Sequence, residues 1–297
     1  MVASERATEG GFGASERSVK PRPLQYQRFT RLNRTLHVSM IVSFIALAMT
    51  GMTLKFSYTS WASSLSRMLG GFETAGYIHR FAAVLMFSVF VIHLWDLNRQ
   101  RKTDHGGSLF KLVFGPDSLM FNKRDLREFV GTMKWFVGTG PRPRYGRWTY
   151  WEKFDYFAVF WGIFVIGSTG LLLWFSEFLT RLLPGWLINV ATIIHSDEAL
   201  LATGFIFTVH FFNTHLRPEK FPMDLVIFTG RMPVAEFKRD KPAEYEAIVA
   251  EGKLEKNLVE AYQPVVIRTL RAFAWIALTL GTLMVLWIIY AMVFAYR

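Results

Sequence analysis

Residues 192–222, TIIHSDEALLATGFIFTVHFFNTHLRPEKFP, decide how the rest of the chain is read. Apolar and small residues run there for long enough to cross a bilayer, yet His195, His210 and His215 interrupt them. Ionisable side chains at membrane depth are costly unless something uses them. Fifteen positions separate His195 from His210, which on an α-helix is roughly 22 Å of rise and about 60° of azimuthal drift. One helix therefore offers an imidazole near each face of a membrane, both looking into the same interior. That arrangement suits iron held in two stacked b-type haems, each completed by a histidine from a neighbouring helix.

A matching helix lies upstream. Residues 77–95, YIHRFAAVLMFSVFVIHLW, carry His79 and His93 fourteen positions apart, about 21 Å of rise and within about 40° of one another. Two helices with the same histidine spacing are harder to attribute to chance than either alone. A lone histidine in a membrane helix serves equally as a packing or proton-relay residue. That reading stays open for His37, at the start of a further apolar run, and is preferred for His105 in a polar loop.

Three more apolar runs complete the pattern, at residues 36–54, 157–175 and 272–295. The expected fold is an all-α polytopic transmembrane bundle of five spans, a four-helix haem-binding core plus one C-terminal helix. The domain boundaries expected are a disordered cytoplasmic tail at 1–30, the dihaem membrane domain at 31–232, a cytoplasmic helical segment at 233–267 and the C-terminal transmembrane helix at 268–297. The first 36 residues have no apolar h-region and read as a tail, not a signal peptide. KRDLREFVGTMKWFVG, residues 123–138, reads as an amphipathic interfacial helix.

Composition agrees: 52% of the 297 residues are hydrophobic, with 28 Phe and 10 Trp, more apolar mass than most soluble domains carry. With no cysteine, the chain cannot attach c-type haem, ligate an iron–sulfur cluster through thiolates or form a disulfide. The net charge of +11 points to membrane topology and not to nucleic acid, because the basic residues sit in loops beside the spans. Segments 1–36, 96–152 and 216–268 are rich in Lys and Arg, whereas the intervening linkers carry only Lys55, Arg67 and Arg181. The positive-inside rule then places the N-terminus in the cytoplasm and the C-terminus outside, in a bacterial cytoplasmic (inner) membrane.

That orientation sorts the histidines. His79 and His195 fall near the outer face as an axial pair, with Arg80 placed to meet a haem propionate and Asp197 and Glu198 one turn from His195. His210 falls near the inner face, and its mate is either His93, favoured by the matched spacing, or His37. His215 lies about 140° round from His210 and suits a haem-edge, propionate or quinone contact better than ligation. Asn213 and Arg217 are further candidates for the quinone end.

At these residues the chain resembles the cytochrome b (gamma) subunit of respiratory formate dehydrogenases and the related membrane anchors of thiosulfate reductases and hydrogenases. The matching stretches are RLNRTLH, TGMTLKF, GYIHRFAAV, FWGIFVIGSTGLLLWF, IIHSDEALLATGFIFTVH and LRPEKFPMDLVIFTGRM, spread over residues 28–232. The resemblance implies a cytochrome with two bis-histidine b haems, with ligands from spans one, two and four, which transfer onto His37, His79, His195 and His210. It further implies electron exchange between menaquinone or ubiquinone and an outer-face iron–sulfur or multihaem cytochrome subunit, with membrane lipid around the spans. Two features depart from that pattern: the second histidine of span two, His93, and the fifth span. The competing readings are a haem-free proton-coupled transporter and a structural anchor with one haem; in none is this chain itself expected to hold the catalytic centre.

Overall fold

The apolar runs become helices because a backbone in hydrocarbon must satisfy its own hydrogen bonds. A computed structural model describes residues 22–104 and 106–295; His105 and the first 21 residues lie outside the described residues. In chain order the elements are β1 (Leu24–Gln27), α1 (Arg31–Lys55), α2 (Ser60–Met68), α3 (Phe72–Thr103), α4 (Leu109–Phe114), α5 (Lys123–Phe136) and α6 (Tyr150–Trp174). They continue with α7 (Ser176–Leu179), α8 (Trp186–Phe205), α9 (Val226–Thr229), β2 (Arg231–Pro233), α10 (Val234–Asp240), α11 (Pro242–Ala250), β3 (Leu258–Glu260) and α12 (Pro264–Tyr290). Beyond Phe205, α8 winds on as two π-helical turns, Ile206–His210 and Phe212–Leu216.

Five of these helices are long and apolar enough to cross a membrane: α1, α3, α6, α8 with its π-helical extension, and α12. The expected all-α bundle of five spans is therefore what the chain forms. Side-chain caps define where several helices begin. Thr30 closes a capping box with Asn33 ahead of α1, and Thr149 does so with Glu152 ahead of α6. Hydroxyls inside the spans return to the backbone one turn earlier, as in Ser43 to Ser39 O at 2.9 Å and Thr203 to Ala199 O at 2.7 Å. Outward positions such as Phe81, Phe164 and Ile193 are exposed, as bilayer-facing residues must be.

The spans pack as α1 against α3 and α6 against α8, joined where α1 meets α8, with α12 laid against α8 and its extension. Between the two pairs lies a cavity of about 2630 Å³, several times the roughly 300–1,000 Å³ of an ordinary ligand pocket. Its long walls come from all five spans.

One end of the bundle is closed by a small folded cap. β1 is the central strand of a three-stranded sheet in the order β2-β1-β3, antiparallel on both sides. Tyr26, Val226, Met232 and Phe237 form its core, with the Tyr26 and Phe237 rings stacked at 4.5 Å. Ordered structure thus starts ahead of residue 31, where the disordered tail was expected to end, because LQYQ finds two strand partners more than 200 residues downstream. LQYQ does alternate apolar and polar residues, but four residues are the shortest run on which that signal can be read. Residues 233–267 hold α10 and α11 but also β3, and α12 begins at Pro264, before the expected 268. The expected amphipathic helix at 123–138 is α5, with Leu126, Phe129, Val130 and Phe136 exposed.

Candidate functional site

Two helices bring a pair of imidazoles close together at the cavity wall. His79 on α3 and His195 on α8 have ring centroids 6.1 Å apart with their planes at 72°. Two metal–imidazole bonds of about 2.0–2.1 Å, plus roughly 1 Å from each nitrogen to its ring centre, place two axial imidazoles about 6 Å apart. The spacing fits iron shared between them.

The hydrogen bonds around each ring say which nitrogen is free. His195 Nδ1 lies 2.9 Å from the Ile166 carbonyl oxygen, which only accepts, so the proton is on Nδ1 and the Nε2 lone pair is open. His79 Nδ1 lies 2.9 Å from Thr50 Oγ1. That hydroxyl already donates to Ala46 O at 2.6 Å, so it receives from the imidazole and again leaves Nε2 open. This is the pattern of metal-binding histidines, whose second nitrogen donates to a fixed acceptor. Glycines make room for both rings: an added Cβ at Gly170 would come within 2.9 Å of His195 Cε1, and one at Gly51 within 3.4 Å of His79 Cε1.

Towards the cap, His210 Nδ1 lies 3.0 Å from Asp155 Oδ2 of α6, so its Nε2 is open as well. His37 of α1 lines the same cavity as His210, and its buried Nδ1 has no hydrogen-bond partner among the described residues. His93 lines the same cavity but is engaged by α6. Its Nε2 lies 2.9 Å from the Tyr156 hydroxyl, and its ring rests edge-on against Phe160 at 6.0 Å. The equal spacing of the two histidine pairs assumed α-helix throughout, but α8 turns π-helical at Ile206, which alters the azimuth of everything beyond. All five of these histidines line the cavity.

The remaining candidates divide. Arg80 lies over the rings of Tyr77 and Trp174, at 6.0 and 5.8 Å from their centroids. Asp197 pairs with Lys55 at 2.8 Å, tying α8 to the end of α1 instead of orienting an imidazole. His215 is buried, with Nδ1 2.9 Å from Pro222 O and its ring on Phe211, and it is absent from the cavity wall. Asn213, Arg217 and Glu198 do line the cavity.

Sequence reading missed Asp155, Tyr156 and Thr50. Asp155 and Tyr156 fell just outside an apolar run drawn from residue 157, although an acidic residue one turn from a span was itself a signal. Thr50 carried none, since span threonines ordinarily bond their own helix.

The cap end of the cavity is ionic. Arg28 reaches Glu244 at 2.6 Å, Arg147 reaches the same carboxylate at 3.0 Å, and Lys241 meets Glu152 at 2.5 Å. Burial pulls the Arg28 guanidinium down, but Glu244 and Glu152 outweigh it and hold Arg28 above its ordinary value. Burial also lowers Lys241, and there it prevails over Glu152.

No family model matches the chain. The F420 non-reducing hydrogenase II cytochrome subunit of Methanosarcina mazei is 24% identical over 249 residues, covering 78% of this chain and 84% of that protein. This distant similarity is consistent with a cytochrome b membrane anchor. It lends no support to formate dehydrogenase in particular.

Proposed function

We propose that the protein is a dihaem b-type cytochrome subunit that carries electrons through the membrane between a quinone and a partner redox subunit. The observation that carries this reading is the His79–His195 pair, with ring centroids 6.1 Å apart in a cavity of about 2630 Å³ and each Nδ1 committed to a fixed acceptor. In this reading His79 and His195 hold one haem and His37 and His210 the other. The matched spacing favours His93 for the second site, but its Nε2 is engaged by Tyr156, whereas His37 brings to the same cavity as His210 a buried imidazole nitrogen without a partner among the described residues. Bound haem supplies a one-electron iron couple.

The chain's own part is to present four imidazoles, three of them oriented by a fixed acceptor, to keep water out of the apolar middle of the cavity and to fix one site near each end. Thr50 and Ile166 set the ring orientations at the Lys55 end, and Asp155 does so at the cap end. The positive-inside rule supports a cytoplasmic cap end, together with the N-terminus, and the proposed membrane is a bacterial cytoplasmic one. Asn213 and Arg217, in the cavity wall beside His210, are the proposed contacts for menaquinone or ubiquinone. The proposed redox partner docks at the opposite face, and the name of the Methanosarcina relative makes a hydrogenase the first to try.

A reduced-minus-oxidised spectrum with haem quantitation on the purified chain tests this. Two b-type haems per chain are expected, and His195→Ala is expected to leave one. A preparation with haem supplied during expression that shows no b-type band sinks the proposal.

A further inference from the structure

Three imidazoles in the cavity donate from Nδ1, but not to equivalent acceptors. His79 gives its proton to the hydroxyl of Thr50 and His195 to the backbone carbonyl of Ile166, both neutral. His210 gives its proton to a carboxylate, Asp155 Oδ2, at 3.0 Å. Its second oxygen, Oδ1, is buried and has no hydrogen-bond partner, and among the described residues Asp155 makes no other ion pair. The contrast with Glu152, one turn earlier on α6, is direct. That carboxylate is taken up by Lys241 and by the backbone N–H of Thr149. A carboxylate at the edge of a span, with a single histidine as its partner, has its negative charge directed at that histidine.

Hydrogen bonds to an ionised acceptor are roughly twice as strong as those to a neutral one, and a carboxylate on the far nitrogen raises the basicity of a metal-bound imidazole. A more basic ligand and a nearby negative charge both favour ferric over ferrous iron. Resting on the dihaem reading above, we propose that Asp155 is a positioning residue that fixes the tautomer of His210 and makes the haem held there harder to reduce than the one between His79 and His195. The two sites are then unequal by construction. An electron placed on the pair rests preferentially at the Lys55 end, away from the ionic cap.

Redox potentiometry of the full-length protein, with haem content measured on the same samples, tests the proposal. Wild type is expected to titrate in two b-type steps. Asp155→Asn is expected to keep two haems per chain and to ease reduction at the lower step about tenfold, a rise of about 59 mV for a one-electron couple, leaving the upper step in place. Asp155→Glu retains the charge and is expected to stay close to wild type. Should the Asn variant lose one haem while the Glu variant keeps both with a low lower step, the carboxylate still positions His210 and the proposal stands. Unchanged midpoints in Asp155→Asn with both haems present, a Glu variant shifted as far as the Asn variant, or loss of haem from both variants overturns it. Wild-type protein without b-type haem overturns the dihaem reading instead.

Discussion

Gly170→Ala is the sharpest single-atom perturbation of the His79–His195 site. The new Cβ would stand 2.9 Å from His195 Cε1 and 3.2 Å from Nδ1, against an ordinary carbon contact of about 3.5–4.0 Å. The ring must retreat by roughly 0.5 Å or more, and His195 is held on that side by Nδ1 bonding to Ile166 O on the same helix as the glycine. Metal sites tolerate about 0.5 Å of misplacement before affinity falls. Overpacking of this kind costs about 1–3 kcal/mol. Gly51→Ala is the matched control, because its Cβ would lie 3.4 Å from His79 Cε1, at the edge of ordinary contact. Haem per chain and the melting temperature of detergent-purified protein are the readouts. Gly170→Ala is expected to fall towards one haem with a modest loss of stability, and Gly51→Ala to stay at two. Two haems with an unaltered spectrum in Gly170→Ala would refute the placement of His195 as a ligand packed on that glycine.

Two further outcomes follow from the same geometry. His93→Phe is expected to retain two haems and His37→Phe to retain one; the reverse result, read by haem quantitation, restores His93 as the mate of His210. In the cap, burial pulls the Lys220 ammonium down but Asp224, Glu236 and Asp240 hold it above its ordinary 10.5, so its contribution is complete below that pH and is lost as pH rises through the higher folded value. Burial pushes Asp240 up, yet Arg239 and Lys220 leave it below its ordinary 3.8, so its contribution is complete above that pH and is lost as pH falls through the lower folded value. Amide exchange over residues 220–244, corrected for intrinsic rates, should therefore show steady protection between those two values, and a loss of protection inside the window contradicts the ion cluster.

How much could be read from the residues alone depended on the range over which each signal acts. The spans are long apolar runs, and all five were legible as such. His79 and His195 were legible as a facing pair because each sits on an unbroken α-helical stretch, where spacing converts directly to depth and azimuth. The same ruler loses its meaning at His210, where π-helical turns intervene, and it could not weigh His93 against His37. That distinction came from hydroxyls and carboxylates on other helices, Tyr156 and Asp155, whose positions no periodicity encodes. Strand β1 was hidden for a similar reason: its partners at 231–233 and 258–260 lie more than 200 residues away along the chain.

The central place of Leu24–Gln27 in that sheet bears on how the molecule is assembled. Synthesis proceeds from the N-terminus, so this short piece is made before α1 and must wait until both flanking strands have left the ribosome. Four hydrophobic crossings are inserted in the meantime. Sheet closure thus waits for residues 258–260, and it joins Leu24–Gln27 to strands more than 200 residues downstream. A version shortened to begin at residue 31 would insert its helices normally yet leave β2 and β3 without the strand that unites them.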